Sequence, residues 1–371
     1  MPTTRLSLRR RCHLECLPNS LIVEVLLICD PLSRLTFVLC VCKWLRTSLL
    51  AEASLWQNLD VTAISDSHYL LTFSLLVDDA GLSRLLSLIN PAFVRNFNVT
   101  GDLSSSSIQQ AIEMLPMLRG LFLRMGHYSS NEEDQLIESV LAQPWVKHLE
   151  RLNLYGFKRS GAVLELACAA ANLEKLTLPN ILNTEQHLTR LADIWRTAHD
   201  GHNPKLMELD VGDATQDEYA CVGRLFPRLR ALTCKLSAST RSLAPMTNLV
   251  TLFIHVVDPA PTPLELAAGL RALLTACPNL TELHLFSYRG VLPAIDNAFS
   301  SLPPPLEKLS VVGITLRASD FPKPLPLLQF ALLMNCGAES VQLVAKLRER
   351  SPHLKRVYVT EADGGHELRQ I

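Results

Sequence analysis

Asn279-Leu280-Thr281-Glu282-Leu283-His284-Leu285 places three leucines at spacings of three and two, directly behind an asparagine that ends a helix-like stretch. The same Leu-x-x-Leu-x-Leu frame recurs through most of the chain. Upstream it reads Leu118/Leu121/Leu123, Leu149/Leu152/Leu154, Leu173/Leu176/Leu178, Leu206/Leu209/Val211, Leu229/Leu232/Cys234 and Leu249/Leu252/Ile254. Downstream come Leu306/Leu309/Val311, Leu327/Phe330/Leu332 and Leu354/Val357/Val359, and a weaker copy, Val94/Phe97/Val99, stands ahead of the series. From 94 to 354 the mean period is 26 residues. Repeats of roughly 20–29 residues with this signature form a solenoid that contributes one strand per turn. The fold class is therefore read as α/β, an irregular horseshoe with a parallel sheet on its concave face.

In each copy the three spaced apolar residues point inward and the residues between them point to the other face. Several return paths carry helical spacing: Ile108/Ile112/Leu115, Leu136/Val140/Leu141, Val163/Leu164/Ala167, Leu188/Leu191/Ile194/Trp195, Leu264/Leu266/Leu270/Leu273 and Val341/Val344/Leu347. Start signals are Asn131 with Asp134 three residues on, and Thr184 ahead of Glu185. The turns from 229 to 249 and from 306 to 327 leave little room for a helix, and Pro322, Pro324 and Pro326 suit an extended path in the second. Loops are expected at 200–204 and 258–263. The third position after the last leucine, where such repeats often carry Asn or Cys, holds Phe157 or Ile181, and Gly313 stands one place before it in its turn. Strand-end carbonyls must then be satisfied in another way.

Of the 371 residues 48% are apolar and 19% charged, as expected when every turn adds core and its neighbours cover it. A net charge of −1 gives no reason to expect nucleic acid or an anionic membrane as partner. No apolar run reaches the roughly 18 residues of a membrane span. The ten cysteines, several at apolar positions (Cys40, Cys42, Cys168, Cys234, Cys277), read as reduced, buried thiols of a cytoplasmic or nuclear protein. Cys12-His13-x-x-Cys16 lacks a second ligand pair, so no metal is expected there. Phosphate loops, nucleophile elbows and His-Glu-x-x-His helices are missing from the sequence. Asp78-Asp79 and Glu132-Glu133-Asp134 read as solvated helix starts. No cofactor, catalytic residue or enzyme activity is expected.

Residues 14–60 do not follow the repeat. Leu17-Pro18 leads into Leu21, Val25 and Ile28 at helical spacing. Asp30-Pro31 then starts a second apolar stripe of Leu32, Leu35, Val38, Leu39 and Cys42. Val41-Cys42-Lys43-Trp44 closes it, and Leu55-Trp56-x-x-Leu59-x-Val61 ends the module. Three short helices in so few residues carry apolar side chains on more than one face. A unit this small struggles to bury them alone.

These elements, in this order, resemble the F-box family: a Leu-Pro start, amphipathic helices, then Val41-Cys42-Lys43 and a terminal Leu55-Trp56. The glutamate common after Leu-Pro is replaced by Asn19 and Ser20, and Trp44 stands one place early. An F-box followed by leucine-rich repeats is a recognised domain combination. The chain is then divided into a basic tail (1–13), the F-box-like module (14–60), a connector or degenerate first repeat (61–93), about eleven repeats (94–360) and a tail (361–371). The resemblance implies docking on a Skp-type adaptor and, through it, a cullin-RING ubiquitin ligase. Leu17, Pro18, Leu21, Val25, Leu32, Leu35, Val41, Cys42, Lys43 and Trp44 are the expected adaptor contacts. The other reading is a repeat scaffold with no ligase link, whose helical end only caps the solenoid.

A client would meet the strand face. Its exposed positions read Phe122, Asn153, Thr177, Asp210, Thr233, Phe253, His284, Ser310, Ala331 and Tyr358, with Arg124, Tyr155, Lys235, His255, Phe286 and Arg356 beside them. Phe253, His255, His284 and Phe286 are expected to form one patch, and Phe122 and Tyr155 a smaller one.

Overall fold

The computed structural model describes residues 18–28, 38, 43–63, 75–101, 103–124, 129–157, 160–178, 184–211, 220–236, 244–256, 262–287, 299, 305–317, 319, 321, 323–336, 340–360 and 369–370. The chain divides into two compact units, Met1–Val146 and Lys147–Ile371.

In the first unit, strands β1 (Asn58–Ala63), β2 (Leu75–Val77), β3 (Asn96–Thr100) and β4 (Gly120–Arg124) are all parallel, in the spatial order β2-β1-β3-β4. The register Leu59↔Phe97 and Val61↔Val99 makes Trp56-x-x-Leu59-x-Val61 a further copy of the repeat frame, ahead of Val94. All three of its apolar side chains are buried. The helices Asn19–Ile28, Lys43–Leu50 and Ala53–Trp56 precede it. Trp56 joins them to the first turn, because its indole N–H donates to Leu49 O at 3.1 Å.

In the second unit the strands stack in chain order: β5 (Arg151–Tyr155), β6 (Lys175–Thr177), β7 (Glu208–Asp210), β8 (Ala231–Lys235), β9 (Thr251–Val256), β10 (Glu282–Ser287), β11 (Lys308–Val312), β12 (Phe330–Met334) and β13 (Arg356–Thr360). Every one of these pairings is parallel, and β14 (Arg369–Gln370) covers the last edge antiparallel to β13. Covering a terminal strand removes a row of unpaired backbone groups. One strand per turn, a buried Leu-x-x-Leu-x-Leu frame and helical or extended returns define leucine-rich-repeat architecture.

A backbone feature marks the register of each turn. The carbonyl after the first apolar residue accepts two successive N–H groups from the next turn. Glu150 O takes Glu174 and Lys175, Glu174 O takes Met207 and Glu208, and Met207 O takes Arg230 and Ala231. Arg230, Val250, Thr281, Glu307 and Gln329 continue the series. Gln329 is the informative member. Its place in the series makes Leu328, not Leu327, the first apolar residue of that turn. The frame is therefore Leu328/Ala331/Leu333, one residue later than the sequence reading, with Ala331 paired to Leu309 and Val357. Leu327 is 45% exposed while Leu328, Ala331 and Leu333 are fully buried. The small alanine hid the frame, because Leu327, Phe330 and Leu332 score better on hydrophobicity alone.

Two further devices replace the expected strand-end asparagine. Two positions after the last apolar residue, the chain turns through a positive φ at Gly101, Gly156, Gly313 and Asn335. Glycine and asparagine tolerate that region best. Just before the first apolar residue, Asn172, Asn248 and Asn279 each donate Nδ2–H to a carbonyl of the preceding turn: Lys147 O (2.8 Å), Pro227 O (2.7 Å) and Thr247 O (2.7 Å). Phe157, in the slot that often carries asparagine, is buried instead.

The returns through Ile108/Ile112/Leu115 and Val163/Leu164/Ala167 bury the expected stripes, as do Leu188, Leu191 and Trp195, and two other returns differ from expectation. The helix Ser130–Leu141 is capped by a reciprocal box between Ser129 and Glu132, not from Asn131 and Asp134. In Pro263–Ala276, capped likewise by Thr262 and Glu265, the inward residues are Leu266, Ala267, Leu270, Leu273 and Leu274, whereas Leu264 is 76% exposed. Thr184–Ala198 ends as expected near residue 200, where Asp200 and Gly201 turn left-handed and Gly201 N–H reaches Arg196 O at 2.8 Å.

Candidate functional site

Because β9 and β10 pair residue for residue, Phe253 lies beside His284 and His255 beside Phe286. The rings stack. Phe253 and His284 have centroids 4.4 Å apart at 9°, His255 and Phe286 5.9 Å at 25°, and His284 and Phe286 6.2 Å at 2°. The alternating burial of both strands leaves these four side chains half-buried on the outer face, above a fully buried Leu252, Ile254, Leu283 and Leu285. The expected patch is therefore contiguous.

It is also longer than expected. Register carries His284 to Ser310, Leu332 and Tyr358, and Phe286 to Val312 and Met334. The one-residue correction in β12 turns Phe330, Leu332 and Met334 outward, which the sequence reading had missed by assigning Phe330 and Leu332 to the core. Phe330 packs on Tyr358 with centroids 5.7 Å apart. Three residues expected on this face are buried: Ala331 through the shifted frame, Ser310 as a small side chain between His284 and Leu332, and Thr177. Phe122, half-buried on β4, and Tyr155, 56% exposed on β5, belong to the first and second units respectively.

Charge borders the aromatic ladder at the strand starts. Lys308 Nζ donates to Glu282 Oε1 at 2.6 Å, and His284 Nε2 stands 3.8 Å from Glu282 Oε2. Burial pushes the His284 imidazole below the ordinary histidine range, and Glu282 only partly opposes this. A neutral ring next to Phe253 is the result. The folded state thus takes up the proton less readily than the unfolded chain, so acidification below about pH 6.5 favours unfolding. His284→Phe should remove that part of the pH slope. Urea midpoints of both proteins at pH 7.5 and 5.5 check this, and an unchanged slope contradicts it.

At the opposite end of the sequence, the helix Asn19–Ile28 has two apolar faces. Ile22 and Leu26 are buried, whereas Leu21 (44%), Val25 (55%) and Leu27 (45%) are exposed. Of the expected adaptor contacts, Pro18, Leu21 and Val25 are exposed. Leu17, Leu32, Leu35, Val41 and Cys42 lie outside the described residues, as do the side chains of Lys43 and Trp44, whose backbones are helical.

Cys221, Cys234, Cys277 and Cys336 are buried free thiols, while Cys168, expected buried, is half-buried. Burial pushes the Cys277 and Cys336 thiols up to about 12, which leaves them protonated and unreactive at neutral pH. Among the described residues no group of three or more His, Cys, Asp or Glu side chains could hold a metal ion, and no helix is long and apolar enough to cross a membrane.

No family model matches the chain, and no curated protein does. Solved structures similar to it include the leucine-rich repeat-containing protein LegL7 from Legionella pneumophila, at 20% identity over 57% of this chain and 70% of that one, with a TM-score of 0.35. An internalin, InlF, from Listeria monocytogenes is similar at 12% identity over 76% of each chain, with a TM-score of 0.34.

Proposed function

We propose that this chain is a non-catalytic recognition subunit: a leucine-rich-repeat scaffold that holds a client protein on its strand face. Its helical end docks a Skp-type adaptor of a cullin-RING ubiquitin ligase. The stacked ladder of Phe253, His255, His284 and Phe286 supports the client half. Half-buried aromatics on a rigid sheet present a large contact area at little entropic cost, which suits binding anchors. The outward pair Leu21 and Val25, one turn apart on a helix whose adjoining face is filled by Ile22 and Leu26, supports the adaptor half. The chain would then act by proximity, raising the client's effective concentration at the ligase. A cytoplasmic or nuclear location fits its free thiols.

A scaffold whose helices only cap the repeats remains the second reading. Trp56 favours it, because this residue belongs both to the helical module and to the first buried repeat frame. Leu21→Asp with Val25→Asp separates the two. Titration against a purified Skp-type adaptor should show wild-type binding weakened by about a hundredfold or more in the double variant, with circular dichroism unchanged. Absence of wild-type binding would leave the capping reading.

A further inference from the structure

Where β7 to β10 begin, an open recess of about 670 Å³ is lined by Glu174, Lys205, Met207, Arg228, Arg230 and Val250, together with Thr247 and the asparagines 248 and 279. Three cations face one carboxylate there, a local excess in a chain of net charge −1. Lys205 Nζ donates to the neutral Asn172 Oδ1 at 2.8 Å. Among the described residues neither the Arg228 nor the Arg230 guanidinium has a partner, and both residues are exposed.

The first outward row on these strands reads Glu208, Ala231, Thr251 and Glu282, in register. Its two ends are filled by the ion pairs Lys175–Glu208 and Lys308–Glu282, both at 2.6 Å. Between them Ala231 and Thr251 are small, which leaves a low saddle. On one side stand the arginines. On the other, one step further along the same face, stand Phe253 and His284.

We infer that an extended segment of the client crosses this saddle, with adjacent acidic side chains in the basic recess and an aliphatic or aromatic side chain on the Phe253–His284 stack. The inference rests on the proposed strand-face reading and names its ligand. Two carboxylates match the excess of positive charge, and arginine forks suit carboxylates. From Val250 to Phe253 the protein itself advances about 10 Å, so a parallel or antiparallel extended ligand spans the distance in about three residues.

The test is selection of phage-displayed linear dodecapeptides on the full chain, with affinities of the enriched peptides measured on variants. Enriched sequences should carry adjacent Asp or Glu separated from Leu, Phe or Met by two to four residues. Their affinity should fall by about tenfold or more in Arg228→Glu/Arg230→Glu, and by a similar factor in Thr251→Tyr, which fills the saddle without changing its charge. Thr251→Tyr also guards against misfolding in the charge-reversed variant, and circular dichroism checks both. Selected peptides without acidic residues, affinity indifferent to the charge reversal, binding that needs phosphoserine in place of the acids, or an empty selection would each overturn the inference. Indifference to Phe253→Ala/Phe286→Ala would sink the strand-face reading itself. Sensitivity there, combined with indifference at the arginines, sinks only the recess.

Discussion

Trp195→Ala should destabilise the chain by about 3–5 kcal/mol, the largest loss expected from any single truncation. The indole is completely buried. It meets Phe226 of the next turn edge-on, with ring centroids 6.2 Å apart. Its N–H donates to Ala167 O of the previous helix at 3.0 Å. One side chain thus ties three successive return paths, Ser160–Ala169, Thr184–Ala198 and Val222–Leu225, by packing and by a buried hydrogen bond. Truncation opens a cavity and removes a buried hydrogen bond at once, although Ala167 O keeps the Ala170 N–H. In a repeat array each turn is held mainly by its neighbours, so damage in the middle separates what remains into shorter, weaker stacks. Against a usual total of about 5–15 kcal/mol the loss is large. Urea denaturation measures it, and a change below about 1 kcal/mol contradicts this account of the core.

Leu332 and Leu333 are adjacent and chemically identical, yet aspartate should have opposite consequences at the two. At Leu333, buried between Val311 and Val359, an unpaired carboxylate has no water and no partner, and the C-terminal turns should unfold or lose several kcal/mol. At Leu332 the side chain faces outward between Ser310 and Tyr358, and the cost should stay within about 1 kcal/mol. Limited proteolysis of the two variants reads the difference. The frame Leu327/Phe330/Leu332 requires the reverse order, so resistance of Leu333→Asp together with cleavage of Leu332→Asp would contradict the register.

That pair also shows what the sequence could and could not reveal. Leucines at spacings of three and two mark a strand wherever all three are large, and ten of the strands follow from that rule. Where an alanine takes the middle position, as at Ala331, hydrophobicity ranks the neighbouring frame higher, and a slip of one residue exchanges core for surface. The aromatic ladder was legible because both β9 and β10 keep large residues in frame. Its continuation into Phe330, Leu332 and Met334 was lost with the slip. Two signals could have recovered it: Asn335, two places after Leu333 as Gly313 is after Val311, and the proline-rich return that leaves room for one more residue. The basic recess was not legible at all. Lys205, Arg228 and Arg230 lie on separate turns and converge only when those turns stack.

The proposed function divides labour between Leu21 and Val25 on the first helix and the ladder on β9 and β10. Quantitative affinity purification of the tagged full chain from its native cell tests this most directly, comparing wild type with Leu21→Asp/Val25→Asp and with Phe253→Ala/Phe286→Ala. The predicted result is that the first variant loses a Skp-type adaptor and the cullin but keeps the other bound proteins, while the second keeps the adaptor and loses those proteins. Wild-type and both variants carrying the same set, or an adaptor that never appears with the wild type, would contradict it.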